Sequence, residues 1–350
     1  MVGELVRGGM PPEGAPRPLN DVTITLSDAE REVLRTQLAE HAQAYSDRPL
    51  DDEDLLADAE DAGRLLPDRI YPALRRFRRQ TSGPGALLVR NMPTDTRLCA
   101  TPQDGTLGHW SELPVATYAQ LAAASAVGDV IAYADEKSGN LIQDIVPLRG
   151  ERERQENSGT VYLELHTENG FHPHKPDFIT LLCLRPDHER EGITVVAGVA
   201  EALPRLADQC VAMLRRPMFR LQVSSSFREG SQLSIGPLAV LTGPAEAPEL
   251  LADFHAMSPM TAEAGAALDE MKAAILAVLR GATLDTGDLL VINNRTAVHG
   301  RTSFSARYDA DERWLRRCFA VADIRRSRDV RASGSRVCRP LVFSGLSDPA

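Results

Sequence analysis

His166-Thr167-Glu168 is the first triplet in the chain whose residue types and spacing could do metal chemistry. In a strand, residues i and i+2 point to the same face about 6.6–7 Å apart at Cα, so the imidazole and the carboxylate can converge on one ion. The preceding residues alternate in the same sense: Val161, Leu163 and Leu165 take one face, and Glu164, His166 and Glu168 the other. Alone the triplet carries little weight. With 8 His and 49 acidic residues in the chain, roughly one His-x-acid triplet is expected by chance. A third ligand would be His299, in Val298-His299-Gly300-Arg301, after the strand-like stretch 287–292. A neighbouring pair on one strand plus a remote histidine on a late strand is how a double-stranded β-helix assembles a 2-His-1-carboxylate triad. Such a triad leaves the remaining positions of Fe(II) open to a cosubstrate and O₂. His172 and His174 are rival ligands. The two prolines of Phe171-His172-Pro173-His174-Lys175-Pro176 bend the chain away from the strand, which favours a loop whose histidines bond the backbone.

Arg313 and Arg317 fall on a segment, Arg313-Trp314-Leu315-Arg316-Arg317-Cys318-Phe319, that reads as a strand. As one, it puts both arginines on the face of Leu315 and Phe319. An inward arginine is costly unless it meets an anion, and the guanidinium fork suits carboxylates. Two such arginines therefore suggest two carboxylates, and Thr194 could add a hydroxyl donor to one of them. The competing reading is a solvated basic face made of Arg316, Arg317, Arg325, Arg326 and Arg328. His41, His109, His188 and His255 have no spacing partners and default to structural or surface places.

These groups need elements to position them. Ser27 with Glu30 three residues on is a capping-box signature, and it opens a helix carrying Val33, Leu34 and Leu38 on one face. A charged stretch, Asp51 to Glu60, and a helical segment around Tyr71 to Arg79 follow. Ser82-Gly83-Pro84-Gly85 marks a turn before the strand 86–89, and an Ala-rich helix covers 118–126. From residue 140 short apolar runs predict strands over 141–146, 161–166, 178–184, 193–199, 219–223, 289–293 and 315–321. Helices are predicted over 204–215 and 261–279. Many short strands without βα alternation predict a mainly β fold with helices packed outside. Residues 1–20 read as a flexible N-terminal segment, 21–330 as a single domain with N-terminal and inserted helices, and 331–350 as a C-terminal tail.

The net charge of −10 argues against a nucleic-acid or anionic-membrane partner, which would need a basic face. No apolar run approaches the length that spans a bilayer, and the start does not read as a secretory signal. Cys99, Cys183, Cys210, Cys318 and Cys338 are scattered and odd in number, as expected of reduced thiols in a cytoplasmic protein.

The stretches His166-Thr167-Glu168-Asn169-Gly170-Phe171-His172-Pro173-His174-Lys175-Pro176-Asp177 and Asn293-Asn294-Arg295-Thr296-Ala297-Val298-His299-Gly300-Arg301 resemble the clavaminate-synthase-like Fe(II)/2-oxoglutarate oxygenases. Within that group the branch hydroxylating free asparagine, arginine, lysine or citrulline is most similar. Gln143–Pro147, Glu156–Gly159 and Asp323–Arg328 resemble the asparagine oxygenases most. The resemblance implies a double-stranded β-helix (jelly-roll) core with flanking α-helices. It implies His166, Glu168 and His299 as iron ligands, with Fe(II) as cofactor and 2-oxoglutarate and O₂ as cosubstrates. It implies Arg313 and Thr194 for 2-oxoglutarate, and Arg317 for the α-carboxylate of an amino-acid substrate. Glu136, Asn157 and Asp253 are implied as further substrate contacts, with Gln143 and Ser158 as weaker ones. The segment 224–235 falls where the family has a mobile lid. A carboxylate at Glu168, where related halogenases have Gly or Ala, implies hydroxylation at C3, or else C4, of a polar L-amino acid. Asparagine-like substrates come first and lysine, arginine or citrulline next, for nonribosomal peptide or other natural-product biosynthesis. The residues alone also admit a zinc hydrolase built on His166, Glu168 and His172 or His174, and a non-catalytic cupin-like amino-acid-binding protein. Oligomeric state is left open.

Overall fold

The computed structural model describes residues 15–156, 158–227 and 233–342. The chain is mostly sheet with flanking helices. Helix α1 (Asp28–Ala44) begins at the expected capping box: the Ser27 hydroxyl accepts from the Glu30 amide, and Glu30 accepts from the Ser27 amide at 2.8 Å. The charged stretch that follows is also a helix, α2 (Glu53–Ala62), capped by Asp52. Its acids mask an apolar stripe, Leu55, Leu56, Ala59 and Ala62, all buried. The Ala-rich helix α3 (Pro114–Val127) is buried almost throughout, its small side chains letting neighbours approach on every side.

The strands that matter for the site are β1 (Ala86–Arg90), β2 (Asp129–Tyr133), β3 (Ile142–Ile145), β4 (Leu163–His166), β5 (Phe178–Arg185), β6 (Ile193–Gly198), β7 (Arg280–Thr283), β8 (Leu289–Asn293), β9 (Ala297–Arg301) and β10 (Trp314–Val321). Helix α4 (Ala262–Leu276), capped by Thr261, precedes β7. The larger sheet runs β2-β10-β5-β8-β1, with β3 also pairing β10, and the smaller runs β7-β6-β9-β4. Arg17–Pro18 pair alongside β7, and Val337–Cys338 alongside β2. Two of these strands, β2 and β7, have no counterpart among the predicted ones, and β9 is the late strand expected to carry His299, for which no bounds were read. Gly281 weakens β7, and Gly300 with polar His299 and Arg301 weakens β9, so neither reads as an apolar run. Among the described residues no helix is long and apolar enough to cross a membrane.

The long apolar runs have a simple cause: both faces of the larger sheet are covered. Leu88, Leu181, Cys183, Leu290, Ile292, Leu315 and Phe319 face a core shared with Leu165, Val195, Ala197 and Val298 of the smaller sheet. Their neighbours Leu87, Leu182, Leu184, Leu289, Val291, Cys318 and Ala320 face a second core beneath α1, α2 and α3.

The same alternation splits the charges of β10. Arg316 faces the helices, where it donates to Thr117 Oγ1 at 2.8 Å and lies 3.4 Å from Asp144. Asp144 also accepts from Trp314 Nε1 at 2.8 Å. Arg316 and Asp144 are 2% and 5% exposed, so removing one partner strands a charge in the core. Asp144→Ala is expected to cost about 3–5 kcal/mol of stability. Denaturant unfolding checks this, and a loss below about 1 kcal/mol would contradict the pairing.

Candidate active site

Strands β4 and β9 run antiparallel with His166 directly opposite His299. The pairing is close because of Gly300: a Cβ there would lie 2.5 Å from the Leu163 carbonyl oxygen, so any other residue would push β9 off β4. The two imidazole centroids are 4.5 Å apart. Glu168 follows His166 just past the strand, and its backbone is fixed from both ends by one side chain. Asn294 Oδ1 accepts from the Glu168 amide at 2.9 Å, and Asn294 Nδ2 donates to the Glu168 carbonyl at 3.0 Å and the Pro176 carbonyl at 2.9 Å. Glu168 Oε2 then lies 3.5 Å from His299 Nε2 and 3.0 Å from Arg317 Nη1.

One donor atom from each of His166, Glu168 and His299 lies within 4.8 Å of the others, and this is the group of metal-ligand type among the described residues. The His166 Nδ1–H donates to the Glu164 carbonyl at 2.8 Å, which leaves Nε2 as the lone-pair nitrogen. Burial pushes Glu168 toward protonation, but the Arg317 guanidinium and the two imidazoles outweigh it and hold the carboxyl well below its usual range. Burial and His166 push the His299 pKa down. A carboxylate beside a neutral imidazole is the protonation state that binds a divalent cation. Two imidazoles and one carboxylate grouped on one side, with a cavity beyond, are the donor set of the Fe(II) triads that keep open positions.

The rival histidines are elsewhere. His172 Nδ1 accepts from the His174 amide at 3.0 Å, and its ring sits edge-on to Tyr133 with centroids 4.6 Å apart. Burial pushes its pKa down to about 4. The hydrolase ligand set that would have used His172 or His174 is not assembled.

Arg317 is the second fixed group. It lies on β10 opposite Gln143 of β3, and its Nε donates to Gln143 Oε1 at 3.0 Å. Its Nη2 donates to Glu136, whose other oxygen accepts from Asn169 Nδ2 at 2.9 Å. The guanidinium carbon is 4.5 Å from the Phe319 ring centre. Gln143 Nε2 is a buried donor with no hydrogen-bond partner among the described residues. A cavity of ≈ 540 Å³ opens here, lined by Glu136, Ser158, His166, Glu168, Asp253 and Arg317 among others. Asp253 bridges the backbone of His166, and its Oδ1 accepts from the His255 and Ala256 amides at 2.9 and 2.8 Å. Ser224, Ser225 and Ser226 also line it. Ser225 donates to Glu156 at 2.6 Å and accepts from Arg154 at 2.7 Å. The expected lid segment lies partly outside the described residues, and so does Asn157.

Thr194 and Arg313 are buried but do not line this cavity. Thr194 lies opposite Arg301, and Val196 opposite His299, across the β6–β9 pairing. Thr194 is therefore one pleat, about 6.6–7 Å, from the residue facing His299. The Arg313 guanidinium carbon is 5.1 Å from the Phe304 ring centre.

The sequence reading missed Asn294 and Asn169, because a single amide in a polar turn has no spacing signature. Asn294 has the larger role. Removing such an outer partner of a ligand typically weakens a metal site about 10- to 100-fold. Asn294→Ala is expected to do so here in a Mn(II) titration, and unchanged affinity would show that Glu168 holds its place without it.

The whole arrangement has counterparts among known proteins. A family model described as taurine catabolism dioxygenase TauD, TfdA family, matches residues 112–319. The chain is 38% identical over 314 residues to L-asparagine oxygenase of Streptomyces coelicolor, covering 89% of this chain and 92% of that one. It is 35% identical to L-lysine 3-hydroxylase of Catenulispora acidiphila, over 81% of this chain and 80% of that one. Among solved structures, an asparagine oxygenase in complex with Fe(II), 2S,3S-3-hydroxyasparagine and succinate matches with a TM-score of 0.86 and 35% identity, over 91% of this chain and 99% of that one. With the family model spanning more than half of the chain, and a relative of this identity along most of its length, the chain belongs to the TauD/TfdA dioxygenase family.

Proposed function

We propose that this chain is an Fe(II)/2-oxoglutarate-dependent hydroxylase that acts on C3, or else C4, of a free polar L-amino acid. The observation that carries the reading is the convergence of His166, Glu168 and His299 within 4.8 Å of one another, at a cavity into which buried Arg317 projects. His166, Glu168 and His299 would hold the iron. With 2-oxoglutarate and O₂, that ion supplies the oxidant that converts C–H to C–OH, leaving succinate and CO₂. The two sheets would form the double-stranded β-helix of a single oxygenase domain.

The protein's own part is binding, orientation and exclusion of water. Arg313 is buried without a carboxylate at ion-pair distance among the described residues, which suits the distal carboxylate of a diacid, with Thr194 as hydroxyl donor. Arg317 would take the α-carboxylate of the amino acid. The buried, unpartnered Gln143 Nε2 beside it supports that, since a buried donor requires an acceptor. Glu136 and Asp253 would take an α-ammonium group or a basic side chain, with Asn157 and, more weakly, Ser158 as further polar contacts. Resemblance to both asparagine and lysine hydroxylases keeps asparagine-like substrates first and basic ones next. The clavaminate-synthase-like resemblance supports a natural-product setting, and the free cysteines a cytoplasmic one.

The test is an assay of Fe(II)-loaded protein with 2-oxoglutarate against the twenty common amino acids plus ornithine and citrulline. It reads succinate and a product heavier by one oxygen atom. Activity with zinc in the absence of O₂ would overturn the reading. His166→Ala and His299→Ala are each expected to abolish turnover while circular dichroism stays native, and normal turnover would remove that residue from the ligand set. Arg313→Ala is expected to raise the KM for 2-oxoglutarate about 10- to 100-fold, with a much smaller change for the amino acid. The reverse pattern would exchange the roles of Arg313 and Arg317.

A further inference from the structure

Four buried arginines lie on β9, on β10 or beside them: Arg301, Arg313, Arg316 and Arg317. Arg316 and Arg317 have carboxylates against them. Arg301 and Arg313 have none within 4 Å among the described residues, the charge of buried Asp187 reaching both from farther off. These two share one aromatic ring: the guanidinium carbons of Arg301 and Arg313 lie 4.7 and 5.1 Å from the centre of Phe304. Holding two cations so close in a core needs a structural reason.

The hydrogen bonds of Arg301 supply it. Its Nη2 donates to the carbonyls of Gly159 and Val161, each at 2.9 Å, and its Nε to the Thr302 carbonyl at 3.2 Å. The Phe304 amide donates to the carbonyl between the first two, Thr160, at 3.0 Å. Three consecutive carbonyls, 159 to 161, are thus gripped by the segment that follows His299. That stretch of chain continues directly from Gln155, Glu156 and Ser158, which line the amino-acid cavity. On its other side Arg301 is paired across the sheet with Thr194.

We propose that Arg301, with Phe304, is a positioning residue that fixes the diacid group, Arg313 and Thr194, against the rim of the amino-acid cavity, because it clamps the carbonyls of residues 159–161 while sharing a ring with Arg313. This rests on the assignment of Arg313 to 2-oxoglutarate given above. A guanidinium is required: its Nη2 bonds the carbonyls of Gly159 and Val161 while its Nε bonds Thr302 and its plane lies against the ring, and an ammonium, with one nitrogen and no plane, cannot make all of these contacts together. The consequence is a coupling between the two binding sites. Loss of the clamp misplaces the diacid relative to the amino acid, so part of the 2-oxoglutarate is oxidised to succinate and CO₂ with the second oxygen atom reduced to water by ascorbate supplied in the assay instead of entering the C–H bond.

The test uses Arg301→Met, Arg301→Lys and Phe304→Leu in the full chain, with Arg313→Ala as control. Calorimetric titration of 2-oxoglutarate into Mn(II)-loaded protein reads binding without turnover, and the ratio of hydroxylated product to succinate reads coupling in the Fe(II) enzyme. Both Arg301 variants are expected to weaken 2-oxoglutarate binding about tenfold or more and to lower the product-to-succinate ratio. Phe304→Leu is expected to move the same two readings, and it decides the matter if Arg301→Met does not fold. A merely structural role would lower the melting temperature and total activity but leave the ratio unchanged, which would overturn the proposal. An Arg301→Lys protein behaving as wild type would also overturn it, by assigning the effect to charge alone. If Arg313→Ala itself leaves 2-oxoglutarate binding intact, the assignment of Arg313 fails; if it weakens binding while Arg301→Met does not, the clamp alone fails.

Discussion

The site depends on one cross-strand pair, His166 of β4 opposite His299 of β9. Side chains alternate along a strand, so a slip of one residue in either strand would turn one imidazole to the opposite face and dismantle the triad. The register is held by close approach at Gly300, by the β6–β9 pairing on the far edge, and by Asn294 bonding the backbone of Glu168. None of these contacts needs a bound ion. The arrangement of His166, Glu168 and His299 is therefore preset by backbone pairing.

The same alternation explains how one strand serves two purposes. On β10 and β3, neighbouring residues form two cross-strand pairs facing opposite ways. Arg316 and Asp144 face the helices, and Arg317, bonded to Gln143, lines the cavity. The outer pair ties β3 and β10 to the helical layer through Thr117 and Trp314. The inner pair presents a guanidinium to the cavity from a rigid base, where a loop arginine would lose orientation and rotamer entropy on each binding event.

Much of this was legible in the sequence, for identifiable reasons. The alternation of Leu163 and Leu165 with Glu164 and His166 announces a strand with one polar face, and arginines among apolar residues at strand spacing announce buried guanidiniums. Ser27 and Glu30 marked the start of α1 correctly. What stayed hidden depends on tertiary contact. The acids of α2 obscured its apolar stripe, and Gly300, the glycine that permits the pairing, breaks the apolar pattern from which the bounds of β9 could have been read. Asn294, Asn169 and Arg301 act on backbone atoms over a hundred residues away or on an acid across the fold, and nothing in local spacing encodes such reach. Thr194 and Arg313 are buried near one another's neighbours and do not line the cavity beside Arg317, a division that residue spacing alone does not convey.

The central claim is that His166, Glu168 and His299 hold a single ferrous ion. Anomalous scattering at the iron edge, from crystals loaded anaerobically with Fe(II) and 2-oxoglutarate, tests it most directly. The account predicts one iron peak at bonding distance from both imidazoles and the carboxylate, with the diacid reaching Arg313. Iron bound elsewhere, or at this place without His299, would contradict it.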